Sequence, residues 1–140
     1  MTRYDFESPD YRALAEFRFQ LRTFLKQSEL AAQAVGLEPQ QYQLLLAIKA
    51  RSVDDPPTVG RLAERMLLKH HSTVELIDRC ERLGLTAREH DADDHRRVLI
   101  RLTAAGEDVL RRLARVHEDE LTSMAPHLIQ ALEAIVGARA

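Results

Sequence analysis

Residues 94–106 read Asp-His-Arg-Arg-Val-Leu-Ile-Arg-Leu-Thr-Ala-Ala-Gly. Between residues 98 and 102 apolar side chains recur at every second position, which is the period of a β-strand. Thr103 follows directly, and threonine is a preferred N-cap of a helix. The stretch therefore predicts a strand that leads straight into a helix beginning at Ala104.

A second strand is predicted on the N-terminal side of this one. Residues 85–90 alternate in the same way, and a polar segment separates the two runs: Asp91-Ala92-Asp93-Asp94-His95-Arg96-Arg97. Two alternating runs around such a segment predict a β-hairpin with a long charged tip. Because a two-stranded ribbon cannot form a core alone, we expect it to pack on neighbouring helices.

Two short helical patterns precede the hairpin. The first has Thr58 as its candidate N-cap, and its inward residues are Leu62, Ala63 and Met66. The second runs from about His70 to Leu83 and ends at Gly84, and its predicted apolar face is Val74, Ile77, Cys80 and Leu83. Only a tight turn, Leu67-Leu68-Lys69, connects them, so the pair predicts a helix-turn-helix.

Longer helices flank this centre. The first is predicted to start with Ser8 as N-cap and Pro9, and to run to about Val35, where Gly36 ends it. Another starts at Pro39, and a final helix is expected to restart at residues 123–126 and to close at Gly137. The predicted fold is mainly α with a small antiparallel hairpin. These outer helices carry more apolar surface than the centre can cover, so we expect a homodimer.

Composition bounds the functions that the chain can have. The 140 residues are 45% hydrophobic and 30% charged, which indicates a soluble globular protein. The net charge of −2 does not by itself suggest nucleic acid, although residues 61–101 hold nine Lys/Arg against eight Asp/Glu. A single cysteine excludes an intramolecular disulfide. Without an apolar segment typical of export in residues 1–7, we expect a cytoplasmic protein.

Residues 94–106 resemble the wing signature of the MarR family, which reads Asp, any residue, Arg, and then a strand ending in Leu-Thr, two residues and Gly. Residues 59–65 and 74–85 resemble the family's short helix and recognition helix, and the first helix with Gly36-Leu37 also fits. The resemblance implies one domain over residues 1–140. About 58–103 would form a winged helix-turn-helix, and about 8–36 and 104–137 would form dimerisation helices.

The resemblance also implies a function. We expect a transcription regulator, a repressor that binds a pseudo-palindromic operator in double-stranded DNA as a homodimer, with no enzymatic activity and no cofactor. Relatives often respond to small aromatic or lipophilic effectors, but the sequence identifies no effector residues. Glu75, Cys80 and the pair His70-His71 depart from the residues that the family usually has there.

The first turns of the second short helix are the predicted base-reading element, because a helix fits the major groove. They present Lys69, His70, His71, Ser72, Thr73 and Glu75. Histidine and serine can bond base edges or phosphates, and Thr73 offers a methyl group to thymine. Glu75 has two interpretations: it accepts from a cytosine amino group, or it holds a neighbouring arginine.

By resemblance, Arg96 at the hairpin tip enters the minor groove. Asp94 would orient Arg96 through a charge-assisted pair, and Arg97 would contact a phosphate. Two other classes stay open: a winged-helix protein-interaction module without DNA binding, and a metal- or redox-responsive sensor using the histidines or Cys80. The sequence contains no His-Glu-x-x-His, phosphate-binding glycine loop or nucleophile elbow.

Overall fold

The computed structural model describes residues 8–137 and consists of five helices and one hairpin within that range. The elements are α1 (Tyr11–Ala34), α2 (Pro39–Lys49), α3 (Val59–Met66), α4 (His70–Arg82), β1 (Thr86–His90), β2 (Val98–Leu102) and α5 (Ala104–Gly137). The two strands pair antiparallel, with Thr86 opposite Leu102 and His90 opposite Val98. This confirms the predicted fold class of a mainly helical chain with one small antiparallel sheet.

The described residues form two compact units. The first unit comprises residues 8–28 and 116–137, and the second comprises residues 29–115. The predicted limits of a single domain, residues 1 and 140, lie outside the described residues, and the single domain stays a prediction. Over residues 8–137, no helix is both long and apolar enough to cross a bilayer.

The second unit is built around one hydrophobic core. α2, α3, α4 and β2 each contribute side chains with no solvent exposure, among them Leu44, Leu45, Leu62, Leu76, Ile77 and Ile100. The backbone N–H of Ile100 donates to the carbonyl of Pro57 at 2.9 Å. This bond attaches the hairpin to the segment that leads into α3. The hairpin needs such contacts because a two-stranded ribbon is not stable alone.

The start of α1 differs from the prediction. The helix begins at Tyr11, and the carboxylate of Asp10 accepts the N–H of Ala13 at 3.0 Å. Aspartate is as good an N-cap as serine, so the predicted start at Ser8 and Pro9 was wrong by two residues. The predicted end is confirmed, because Gly36 has a φ of +80° and Leu37 donates to the carbonyl of Ala32 at 2.9 Å.

α5 is one helix of 34 residues, so the predicted restart at residues 123–126 was wrong. Pro126 lies inside the helix. A proline there removes one backbone hydrogen bond and costs about 3 kcal/mol, but the bonds on both sides of it still favour the helix. A local sequence window therefore overestimated how strongly Pro126 interrupts the chain.

The buried face of α4 is also rotated from the one predicted. Its buried residues are Thr73, Leu76, Ile77 and Cys80, whereas Leu83 is exposed. Thr73 is polar, but its hydroxyl donates to the carbonyl of Lys69 at 2.9 Å and so needs no water. This rotation determines which side chains of α4 face solvent.

Candidate nucleic-acid interface

The turn between α3 and α4 brings two helix ends close together. The hydroxyl of Thr58 accepts the N–H of Arg61 at 3.3 Å and caps α3, as predicted. α3 is followed by its C-cap Leu67, a left-handed residue with a φ of 55°, and α4 begins three residues after Leu67. The predicted helix-turn-helix is thus present.

The N-terminus of α4 is uncapped. Lys69 is the N-cap residue and its side chain makes no capping hydrogen bond. Thr73 is the first residue whose N–H reaches a carbonyl inside the helix, at 3.0 Å, so the preceding N–H groups of His70, His71 and Ser72 have no acceptor in the described part of the chain. These free donors and the helix dipole make the end of α4 attractive to an anion such as a phosphate.

One line of side chains on α4 points directly away from the core. A helix turns about 100° per residue, so positions 71, 75, 78 and 82 stack along one line opposite the buried residues. His71, Glu75 and Arg82 on this line are exposed. Lys69 and His70 are exposed at the helix end, and Ser72 is half-buried.

Thr73 does not belong to this surface. Its side chain has no solvent exposure. The expectation that its methyl group contacts thymine was therefore wrong, because a side chain inside the core cannot reach a base edge. The residue instead holds the first turn of α4 through its bond to Lys69.

Ion pairs sort the basic residues of the second unit into two groups. Of the nine Lys/Arg between residues 61 and 101, five pair with carboxylates: Arg61, Arg79, Arg88, Arg97 and Arg101. The side chains of the other four form no ion pair or hydrogen bond within residues 8–137: Arg65, Lys69, Arg82 and Arg96. These four lie on α3, at the start of α4, at the end of α4 and at the hairpin tip. The unbalanced positive charge therefore surrounds α4.

Sequence reasoning did not select Arg65 or Arg82 for the interface. Arg82 follows His71 by eleven residues, which is three helical turns, so the helical period alone was a signal that could have placed it on the exposed line. No sequence pattern points to Arg65. That its guanidinium forms no ion pair within residues 8–137 is visible only in the folded structure.

Asp91 closes the hairpin tip. Its carboxylate accepts the N–H of Asp93 at 2.9 Å and the Nε of Arg97 at 2.8 Å, and it is nearly fully buried. The Asp93 N–H first, and then the Arg97 guanidinium, hold the pKa of Asp91 below its usual value. The charge of Arg97 is thus paired within the tip, and the contact of Arg97 with a phosphate stays a prediction.

Asp94 acts on Arg96 through the backbone. Its Oδ1 accepts the N–H of Arg96 at 3.1 Å, and the guanidinium of Arg96 stays exposed without a partner among the described side chains. The expected charge-assisted pair between the two side chains was therefore wrong. The geometry instead leaves the positive charge of Arg96 available at the end of the tip.

The Leu-Thr-x-x-Gly part of the signature joins the hairpin to α4. The hydroxyl of Thr103 donates to the carbonyl of Gly84 at 2.6 Å and accepts the N–H of Gly106 at 3.1 Å. The N–H of Thr103 donates to the carbonyl of Leu85 at 3.0 Å. Because residues 84 and 85 directly follow Leu83, the C-cap of α4, these bonds fix where the hairpin lies relative to that helix.

Neither Cys80 nor the histidines support the redox- or metal-sensor alternatives. Cys80 has no solvent exposure, and burial raises the pKa of its thiol to about 11 despite the opposing attraction of Arg79. A neutral thiol in a core is a poor nucleophile. Among the described residues, no group of three or more His, Cys, Asp or Glu side chains is arranged to hold a metal ion.

Comparisons with known proteins agree with this architecture. Residues 35–97 match the family model described as the MarR family. YcgE, an uncharacterised HTH-type transcriptional regulator of Bacillus subtilis, is 36% identical over 87 residues, which are 62% of this chain and 54% of YcgE. The chain thus spans about half the length of that curated relative. A MarR family protein from Bacillus stearothermophilus has a similar structure, with a TM-score of 0.67 and 27% identity over 83% of this chain and 81% of that one.

Residues 35–97 are thus similar to the MarR family, and solved structures that resemble the chain are MarR family proteins. The winged helix-turn-helix of MarR proteins is accordingly the fold of the second unit. MepR of S. aureus, in a structure of its DNA complex, matches the chain with a TM-score of 0.71 and 20% identity, covering 94% of each chain. At that identity the likeness supports the fold.

Proposed function

We propose that this chain is a DNA-binding transcription regulator of the MarR type. The observation that carries the proposal is the position of the unbalanced positive charge, on four side chains that lie on α3, at the two ends of α4 and at the hairpin tip. DNA carries one negative charge per about 1.7 Å of its axis, so such a surface gains affinity by displacing condensed counterions. The match of residues 35–97 to the MarR family model and the similarity to MepR, which was solved in a DNA complex, support the same interpretation.

In this proposal α4 enters the major groove. The free N–H groups of its first turn and Lys69 contact phosphates, and His70, His71, Ser72 and Glu75 lie close enough to meet base edges or phosphates. Arg82 contacts the backbone at the other end of the helix. Thr73 takes no direct part and keeps the first turn rigid.

The hairpin tip meets the adjacent minor groove. The free guanidinium of Arg96 enters it, where a narrow A·T-rich groove concentrates negative potential. Asp94 shapes the backbone at Arg96, and Asp91 with Arg97 keeps the tip closed. Arg97 would reach a phosphate only as a member of that pair.

We further propose that the chain acts as a homodimer. The first unit exposes large apolar side chains, including Tyr11 at 70%, Phe19 at 56%, Ile129 at 52% and Val136 at 68%. Apolar surface of this extent marks an association face, and a second copy of the chain is its natural partner. Two α4 helices about 34 Å apart would then read a pseudo-palindromic operator. Sedimentation should give a dimer at micromolar concentration, and Phe19→Glu with Ile129→Glu should give monomers.

The finer statement of the function is a repressor, acting in the cytoplasm, that a small aromatic or lipophilic effector releases from its operator. Its support is the similarity to the MarR family alone. An effector regulates by binding more tightly to a dimer geometry with unsuitable helix spacing. A ligand of this kind should lower operator affinity and raise the melting temperature of the free protein.

Selection of bound sequences from a random duplex pool tests the proposal directly. We expect enrichment of an inverted repeat whose half-sites are centred about one helical turn apart. Selection that enriches nothing, with a folded dimeric protein, would support instead a protein-interaction module without DNA binding. The same experiment with candidate effectors tests the response to ligands.

A further inference from the structure

One acidic side chain on the exposed line of α4 has no ion-pair partner among the described residues. α4 contains three acidic residues, Glu75, Asp78 and Glu81. Asp78 and Glu81 both pair with Arg88 of β1, the first at 2.7 Å. Glu75 forms no ion pair and no hydrogen bond through its side chain within residues 8–137.

The structure removes one of the two interpretations of Glu75. The arginine one turn further along α4 is Arg79, and its guanidinium lies 3.9 Å from the carboxylate of Glu38. Arg82, two turns away, forms no ion pair with any described residue. Glu75 therefore does not hold a neighbouring arginine.

An unbalanced carboxylate is unfavourable on a surface that meets DNA. The phosphates repel it, and it loses hydration when the groove closes over it. Only a hydrogen-bond donor can offset both costs. In the major groove, cytosine presents its N4 amino group as a donor, guanine and thymine present acceptor oxygens, and adenine presents an amino group beside the N7 acceptor.

We infer that Glu75 is a specificity-determining residue that selects cytosine at one position in each half-site. This inference rests on the proposed function. The carboxylate accepts a hydrogen bond from the N4 amino group and repels the acceptor edges of guanine and thymine. Its contribution is discrimination between sequences, since its charge lowers affinity for every other duplex.

The test compares sequences selected from a random duplex pool by the wild-type chain, by Glu75→Gln and by Glu75→Ala. The wild type should select cytosine at one symmetric position, by about tenfold over the next base. Glu75→Gln should change that preference to adenine, because an amide both accepts from N6 and donates to N7. Glu75→Ala should lose the preference there and bind unselected duplex more tightly.

Glu81→Gln is the matched control, because it removes one negative charge from the same helix at a residue already paired with Arg88. It should keep the wild-type base preference at every position. The inference is overturned if Glu75→Gln and Glu75→Ala select the same base as the wild type throughout the site. If the wild type itself retains no duplex, the proposed function fails. This outcome differs from failure of the Glu75 inference, in which the wild type binds DNA and the variants select the same bases.

Discussion

Gly106 and Leu85 approach each other so closely that position 106 has no room for a side chain. A Cβ built on Gly106 would lie 2.1 Å from the carbonyl oxygen of Leu85, which is backbone and cannot move aside. The same carbonyl accepts the N–H of Thr103 at 3.0 Å. The glycine of the signature therefore allows the start of α5 to pack against the end of α4.

Gly106→Ala should destabilise the protein. The added methyl group must push α5 away from Leu85 and strain the bonds of Thr103, at a cost of about 1–3 kcal/mol in the free energy of unfolding. Gly60→Ala is the control, because a Cβ at position 60 within α3 meets nothing within 4 Å and should be neutral or stabilising. Chemical denaturation measures both. Equal stability of the two variants would contradict this account of the joint.

Arg96→Ala should weaken operator binding by at least about tenfold while leaving the melting temperature nearly unchanged. The guanidinium has no hydrogen-bond or ion-pair partner within residues 8–137, so its removal breaks no such contact there. Arg101→Ala removes the same charge from the hairpin, but Arg101 is paired with Glu89 at 2.9 Å, and we expect a smaller loss of affinity. Anisotropy titrations with one labelled operator compare the two variants. An equal loss of operator affinity in both would contradict a special role of Arg96 in DNA binding.

Asp91→Ala should open the hairpin tip. The carboxylate joins Asp93 and Arg97, so its loss should speed hydrogen exchange of the Asp93 amide and lower DNA affinity several-fold through a misplaced Arg96. Asp93→Ala is the control, because that side chain is exposed and makes no contact of this kind. Unchanged tip dynamics in Asp91→Ala would show that the pair does not close the tip.

Acid should open the same tip in the wild-type protein. Because the folded chain lowers the pKa of Asp91, the stabilisation is present above the ordinary aspartate pKa of about 3.9. It is lost as the pH falls through the lowered folded value. Hydrogen exchange of the Asp93 amide, which donates to Asp91, should therefore stay slow from neutral pH down to about pH 4, relative to its intrinsic rate, and lose this protection only below it. A transition near pH 6 would mean that another group controls the tip.

Cys80 should be unreactive in the native protein. Because burial raises the pKa of Cys80 to about 11, the thiol stays neutral in the folded protein at ordinary pH. The contribution of the neutral, buried thiol to the free energy of unfolding is fully present below the ordinary thiol pKa of about 8.5. It is lost as the pH rises through about 11. Iodoacetamide at pH 8 should label the unfolded chain readily and the native chain hardly at all. DNA binding that peroxide abolishes in the wild type but not in Cys80→Ala would instead establish a redox sensor.

The elements of the fold were predictable because each has a local cause. Two alternating runs around a charged segment give the hairpin, and Thr58, Gly36 and Gly84 mark helix ends through capping and left-handed backbone. The continuity of α5 through Pro126 was not predictable locally, since it depends on bonds on both sides of the proline.

The candidate site was predictable as a region but not as a set of roles. The sequence places Lys69, Glu75 and Arg96 on the right elements. It does not reveal that Thr73 is buried, that Arg97 bonds to Asp91, or that Glu38 rather than Glu75 engages Arg79. Those facts depend on which face of α4 meets the core and on contacts between residues far apart in the chain.

The salt dependence of duplex binding tests most directly whether the unbalanced charges around α4 contact DNA. We predict that the logarithm of the affinity falls linearly with the logarithm of salt concentration, with a slope of about −0.9 per phosphate contacted. Lys69→Ala should reduce the magnitude of that slope by about one. An affinity for duplex DNA that does not change with salt, or a slope that Lys69→Ala leaves unaltered, would contradict the account.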